Sequence, residues 1–182
     1  MSGQPKPVEL LYRDQRQILD ALQLSEPSFH ASLQAMLPKV LMLAAASEFE
    51  HYVCGYIRDY VAEVSTGNRV GFLVERKAIS RQYHTFFDWP KRKAGPFWAL
   101  FGPEFKKAVE LEISEKDGLG DGLAAFLEVG AIRNELIHNN YADVTINTTL
   151  DEVHSLYERG WSFVGHLPQL LRISIPDEDD LD

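Results

Sequence analysis

From Phe29 to Val61 the apolar residues Phe29, Leu33, Leu37, Val40, Leu41, Ala44, Phe49, Tyr52, Val53, Tyr56, Ile57 and Val61 recur at helical spacing. A helix of that length must cover its apolar side along several turns, which calls for other helices as partners. Tyr12, Ile18, Leu19, Leu22 and Leu24 form one amphipathic stretch, ending before Ser25-Glu26-Pro27. Further helices are expected from Phe72 to about Phe87, from Glu104 behind Pro103 to about Ile113, from Asp121 as N-cap to Asn139-Asn140, and from Thr148-Thr149 to near Pro176. Pro38 is expected to split or kink the long element, and Trp89 to Gly102 reads as irregular. No β-rich runs joined by a hairpin signal appear. The fold class is therefore all-α, a bundle of four or more helices.

The 182 residues divide into an N-terminal helix and break over 1–27, a helical bundle over 28–175 and an acidic tail over 176–182 that is expected to be disordered. Asp177, Glu178, Asp179, Asp180 and Asp182 carry five of the charges behind the net −9, leaving the body near −4. Such a body offers little general field to phosphates, so any nucleic-acid contact has to be local. The single cysteine, Cys54, forms no intramolecular disulfide and no cysteine zinc site, which points to a cytoplasmic location. The N-terminus lacks an apolar signal segment, and the longest apolar stretch, Val40 to Ala46, is too short to span a bilayer. Neither secretion nor a membrane partner is expected.

The segment Ala131-Ile132-Arg133-Asn134-Glu135-Leu136-Ile137-His138-Asn139-Asn140-Tyr141 sets polar residues among apolar ones near the end of a helix. At about 100° per residue Asn134, His138 and Tyr141 share one stripe, with Arg133 on its flank. A His to move protons near neutral pH, an Arg to neutralise charge growing on phosphorus and an Asn to orient them suit phosphodiester cleavage without a metal. The same residues also fit a solvated face on which His138 complements the helix C-terminus. A second Arg-to-His spacing, Arg159 to His166, lacks the Asn and lies on a helix rich in aromatic core positions, so it reads as structural.

Arg133-Asn134-x-x-x-His138, late in an all-α chain of this length, resembles the HEPN superfamily. Ser47-Glu48-Phe49-Glu50-His51-Tyr52-Val53 and Phe101-Gly102-Pro103-Glu104-Phe105 are similar to its RiboL-PSP-HEPN branch, and the likeness runs from about Lys39 to Leu171. The resemblance implies an antiparallel helical bundle that forms a homodimer around a shared cleft, and an endoribonuclease that needs no metal and no cofactor. Such enzymes leave 2′,3′-cyclic phosphate and 5′-OH ends and serve toxin-antitoxin, antiphage or RNA-processing systems, so an antitoxin or regulatory protein is a further expected partner. Carried over, Arg133 stabilises the transition state, His138 is the general acid or base, and Asn134 orients one of them. In nucleotidyltransferase-partnered members a Tyr stands two residues after the His and is adenylylated. Here Asn140 holds that place and Tyr141 comes one later, so control by that route is not expected.

Family members also carry an acidic residue facing the site from the early long helix, where this chain has Glu48 and Glu50; Glu48 is the expected supporting residue, with Tyr141. Lys91-Arg92-Lys93, with Lys106-Lys107, is the candidate RNA-binding run, set against the plainer reading of a solvated charge run. Trp89, Phe97 and Trp98 beside it read as core rather than as base-stacking residues. Two other functions compete. Glu48-x-x-His51 and Glu135-x-x-His138 make half of a ferritin-like di-metal constellation, with Glu9, Glu26, Glu75, Glu110 or Glu112 to complete it. The other is a HEPN bundle serving only as a binding or dimerisation module.

Overall fold

The computed structural model describes residues 6–174, so the acidic tail lies outside the described residues. Four long helices form the body: α1 (Pro7–Ser25), α2 (Pro27–Val64), α7 (Leu119–His138) and α8 (Leu150–Leu170). Between α2 and α7 lie α3 (Asn68–Val74), which runs into one π-helical turn (Glu75–Ile79), then α4 (Tyr83–Phe86), α5 (Gly95–Ala99) and α6 (Pro103–Glu115). No strand is present among the described residues; the nearest approach is an isolated bridge between Asp88 and Lys93. The chain is all-α: Glu9–His154 with Tyr12–Asp151 runs α1 against α8, Glu48–Tyr157 with Tyr52–Trp161 runs α2 along α8, and Glu50–Arg133 with Lys39–Tyr141 just past its end runs α7 against α2.

Local chemistry accounts for the helix ends. Proline opens α1, α2 and α6, where a missing N–H costs nothing. Thr149 and Glu152 form a reciprocal capping box at α8. α7 starts three residues earlier than its sequence suggested: Gly118 is the N-cap and takes the left-handed turn (φ 76°), and Asp121 sits inside the first turn, where it complements the helix dipole instead of capping it. α2 continues unbroken through Pro38, whose ring is buried in the core. The expected helix from Phe72 to Phe87 is broken in three. Leu73 and Ile79 would stand about 240° apart on an ideal helix. The π-turn and the left-handed Arg81 (φ 61°) bury Ile79 while leaving Phe72 and Leu73 exposed.

The core is strongly aromatic. Phe49 of α2 meets Phe126 of α7 and Tyr157 of α8, and Phe163, Phe87, Phe97, Trp89 and Trp98 continue the cluster. Trp89, Phe97 and Trp98 are at most 3% exposed, which leaves them no role in stacking bases. Trp89 hangs from the tight loop 88–93, donates its indole N–H to the His84 carbonyl (3.0 Å), and lies flat against Gly130 of α7. α2 meets the length and composition expected of a membrane-crossing helix, a test that the short Val40–Ala46 run did not anticipate; ten of its residues are nonetheless buried in this core.

α1 shares the core through Val8 and Leu19 and is pinned to α8 by a polar cluster. Glu9 Oε2 lies 2.7 Å from His154 Nε2, Arg13 Nη2 donates to Glu9 Oε1 at 2.9 Å, and the Tyr12 ring stacks on His154 at 3.8 Å. Lys6 sits over the Trp161 ring at 3.2 Å, and burial there pushes its ammonium down to about 8 despite Glu48 and Glu9. The His154 hydrogen bond, helped by Arg13, holds the Glu9 carboxyl below the usual 4.5. A carboxyl depressed on folding stabilises fully above its unfolded value and loses that contribution as pH falls through its folded one. Glu9→Gln is therefore expected to lower the urea midpoint at pH 7 and to approach wild type as pH falls through the depressed folded-state value of Glu9. A gap between the two chains that persists in acid would show that Glu9 acts through packing rather than charge.

Candidate functional site

The last two turns of α7 carry Arg133, Asn134 and His138. Arg133 is half-buried: its Nη1 donates to Asn134 Oδ1 at 3.0 Å, and its Nη2 stands 3.8 Å from Glu50 Oε2 on α2. These two anchors hold the guanidinium fork in place and leave N–H groups over for an anion. His138, the last residue of α7, is exposed and makes no hydrogen bond or ion pair among the described residues. Arg133 and His138 stand about 140° apart and about 7.5 Å along the helix. One chain thus presents a fixed cation and an unengaged imidazole on the same helix end without bringing them together.

α7 stops because Asn139 leaves helical geometry (φ −103°, ψ 170°) while its backbone N–H and Nδ2 both reach the Glu135 carbonyl. Asn140 then accepts from the Ala142 N–H in a side-chain-closed turn. Tyr141 therefore lies beyond the helix and leaves the stripe that its spacing implied. Its ring faces Lys39 of α2, with Nζ 5.4 Å from the centroid and 3.4 Å from the Tyr141 carbonyl. Lys39 is a cation at this end of the bundle that sequence reasoning missed; the available signal was a lone charge in the apolar run Met36 to Ala46.

Glu48 does not face this end. It accepts from the Tyr157 hydroxyl at 3.1 Å and from the Val8 N–H at 3.2 Å, tying α1 to α8 and, together with burial, holding the Tyr157 phenol above its ordinary range. Two residues turn a helix by about 200°, so Glu50, not Glu48, is the carboxylate beside Arg133. The basic run is also largely matched by acids. Lys91 pairs with Asp88 at 3.2 Å and Arg92 with Glu128 at 2.7 Å, while Lys106 and Lys107 pair with Glu110 and Glu104 on their own helix. His166, from the second Arg-to-His spacing, lies 2.9 Å from Lys116 Nζ; burial and that ammonium keep its pKa below the ordinary 6.5.

The ferritin-like constellation does not assemble. Glu48 is engaged across α1 and α8, and His51, Glu135 and His138 are exposed. Among the described residues the one grouping with three donors for a cation is Glu9, His154 and Glu158, within 4.8 Å of one another. It joins α1 to α8, and all three members are already ion-paired: His154 with both glutamates, and Glu9 with Arg13 as well.

A family model described as RiboL-PSP-HEPN matches residues 9–162, from the first turn of α1 to the middle of α8. No curated protein and no solved structure matches the chain.

Proposed function

The chain belongs to the RiboL-PSP-HEPN family, and on that footing we propose that it is a metal-independent endoribonuclease acting as a cytoplasmic homodimer. Family membership supports a nuclease-type or RNA-related role, and the observation that carries the finer reading is the arrangement at the end of α7. Arg133 is held by Asn134 and Glu50, and His138, at the same helix end, has no competing partner among the described residues. In the proposed reaction the ribose 2′-oxygen attacks the adjacent phosphorus and the bond to the 5′-oxygen breaks. One His138 takes the 2′-OH proton, a second gives a proton to the departing 5′-oxygen, and Arg133 neutralises the added charge on phosphorus. The products are a 2′,3′-cyclic phosphate and a 5′-OH.

Two proton transfers and one imidazole per chain favour a cleft shared by two copies. The shape of the molecule supports this. Residues 20–36, the tip of the α1–α2 hairpin, bury none of their number, and they expose Leu24 (94%) and Phe29 (66%), while Ile137 beside His138 is also exposed. Apolar side chains gathered on an unpartnered arm mark an interaction surface. The proposed biological setting is a toxin-antitoxin, antiphage or RNA-processing system, with an antitoxin or regulatory protein as a further partner.

The test is cleavage of a mixed-sequence RNA by purified protein in excess EDTA, with product ends identified. Cyclic phosphate ends from wild type, absent with His138→Ala, are the expected result. Intact RNA under these conditions, with EDTA or with divalent cations restored, would point instead to a binding or dimerisation module.

A further inference from the structure

Beside the Arg133–His138 element, loop 88–93 and the second half of α7 enclose a groove of about 380 Å³, within the size range of small-molecule sites. Its polar lining is Arg92 from the loop, Asn134 and Glu135 from α7 and Asn139 just past its end, with Pro90 and Trp89 as the apolar wall. Asn134 belongs to both places: it lines the groove and its Oδ1 accepts from Arg133. Whatever occupies the groove therefore lies next to the guanidinium proposed to bind the scissile phosphate.

Three features define the occupant. Arg92 is held to Glu128 by a hydrogen bond from Nη2 to Oε1 at 3.0 Å and an ion-pair contact between Nε and Oε2 at 2.7 Å, and its backbone sits in the left-handed region (φ 51°) that an arginine rarely adopts. With its charge matched and its plane held, it offers a flat face for stacking rather than a free cation for phosphate. The Glu135 carboxylate is exposed and has no hydrogen-bond or ion-pair partner among the described residues. It repels phosphate and accepts N–H donors. Asn134, its oxygen committed to Arg133, has its Nδ2 donors left to give. A paired acceptor next to an amide donor complements the Watson–Crick edge of guanine, whose N1–H and N2–H lie side by side with O6 beyond. Adenine, cytosine and uracil each lack two adjacent donors on that edge.

We propose that this groove binds a guanine base flanking the scissile phosphate, with Glu135 accepting from N1–H and N2–H, Asn134 donating to O6 and Arg92 stacking on the ring. The assignment deepens the nuclease reading above and rests on it for the place of the scissile phosphate. The test separates the two. Short single-stranded oligoribonucleotides of uridine carrying one guanosine, adenosine or cytidine are titrated by fluorescence anisotropy into full-length His138→Ala, and wild-type cut sites are mapped on mixed RNA. The guanosine-containing probe is expected to bind about tenfold or more tighter than the all-uridine one, and cuts are expected beside guanosine. Glu135→Ala and Glu135→Gln, both at an exposed position that melting curves will show to be folded, are expected to erase both preferences. Equal binding of all probes, or a guanosine preference that survives Glu135→Ala, overturns the proposal even if the wild type cleaves RNA. Glu135-dependent guanosine binding by a protein that never cleaves would uphold the base site and overturn the nuclease reading instead.

Discussion

His138→Ala is expected to slow RNA cleavage by about 10²–10⁴-fold, the range that a positioned proton-transfer group supplies, with no loss of fold. The side chain is exposed at the end of α7 and bonded to nothing described, so its removal opens no cavity and orphans no partner. Melting temperature should stay at the wild-type value while the rate collapses. Arg133→Ala should cost about 10²–10³-fold through lost charge stabilisation, and it also releases Asn134 and Glu50 from the contacts that hold them. Rates measured in EDTA on one RNA, with product ends identified, check both. Wild-type rates in His138→Ala would remove the imidazole from the chemistry, and with it the proposed mechanism.

Gly130→Ala is expected to be the most damaging single change to the fold. A Cβ at that position would stand 1.9 Å from the Trp89 ring, far inside any real contact, and the obstacle is a rigid indole rather than the tip of a flexible chain. Trp89 is 3% exposed, hydrogen-bonded to the His84 carbonyl and packed against Phe87 and Phe126, so a shift of its ring toward the groove it lines has to break those contacts. Overpacking of this kind costs about 3 kcal/mol, which for a chain of this size lowers Tm by about 6–12 °C. Because Trp89 anchors loop 88–93 to α7, the same substitution should displace Arg92 from Glu128 and disturb the groove beside Arg133. Thermal melts followed by tryptophan fluorescence read both effects. An unchanged Tm would mean that Trp89 does not pack on α7 as described.

The helices were legible where one pattern dominated. Apolar spacing marked α1, α2, α7 and α8 because each must bury one side, and Thr149 with Glu152 announced the start of α8. The helix read from Phe72 to Phe87 failed, because its apolar residues follow no single face and the chain turns at left-handed Arg81, whereas Trp89 to Gly102, with its turn at left-handed Arg92, was read as irregular and holds one five-residue helix. Periodicity reports burial only for regular segments, and this region is instead held by Trp89, Phe97 and Trp98 entering a core built by distant helices.

At the site, the sequence by itself determined the identity and helical placement of Arg133, Asn134 and His138, since residues that close on one helix have their relative positions set by helix geometry alone. Tertiary structure decided which groups from elsewhere meet them. It brought Glu50 rather than Glu48 to Arg133, placed Lys39 against Tyr141 beyond the helix end, matched Arg92 with Glu128, and built the groove under loop 88–93. Those encounters depend on how α2 and the 88–93 loop pack against α7. A rotation of α2 by two residues would exchange one glutamate for the other, and only the packing of the whole core selects between them.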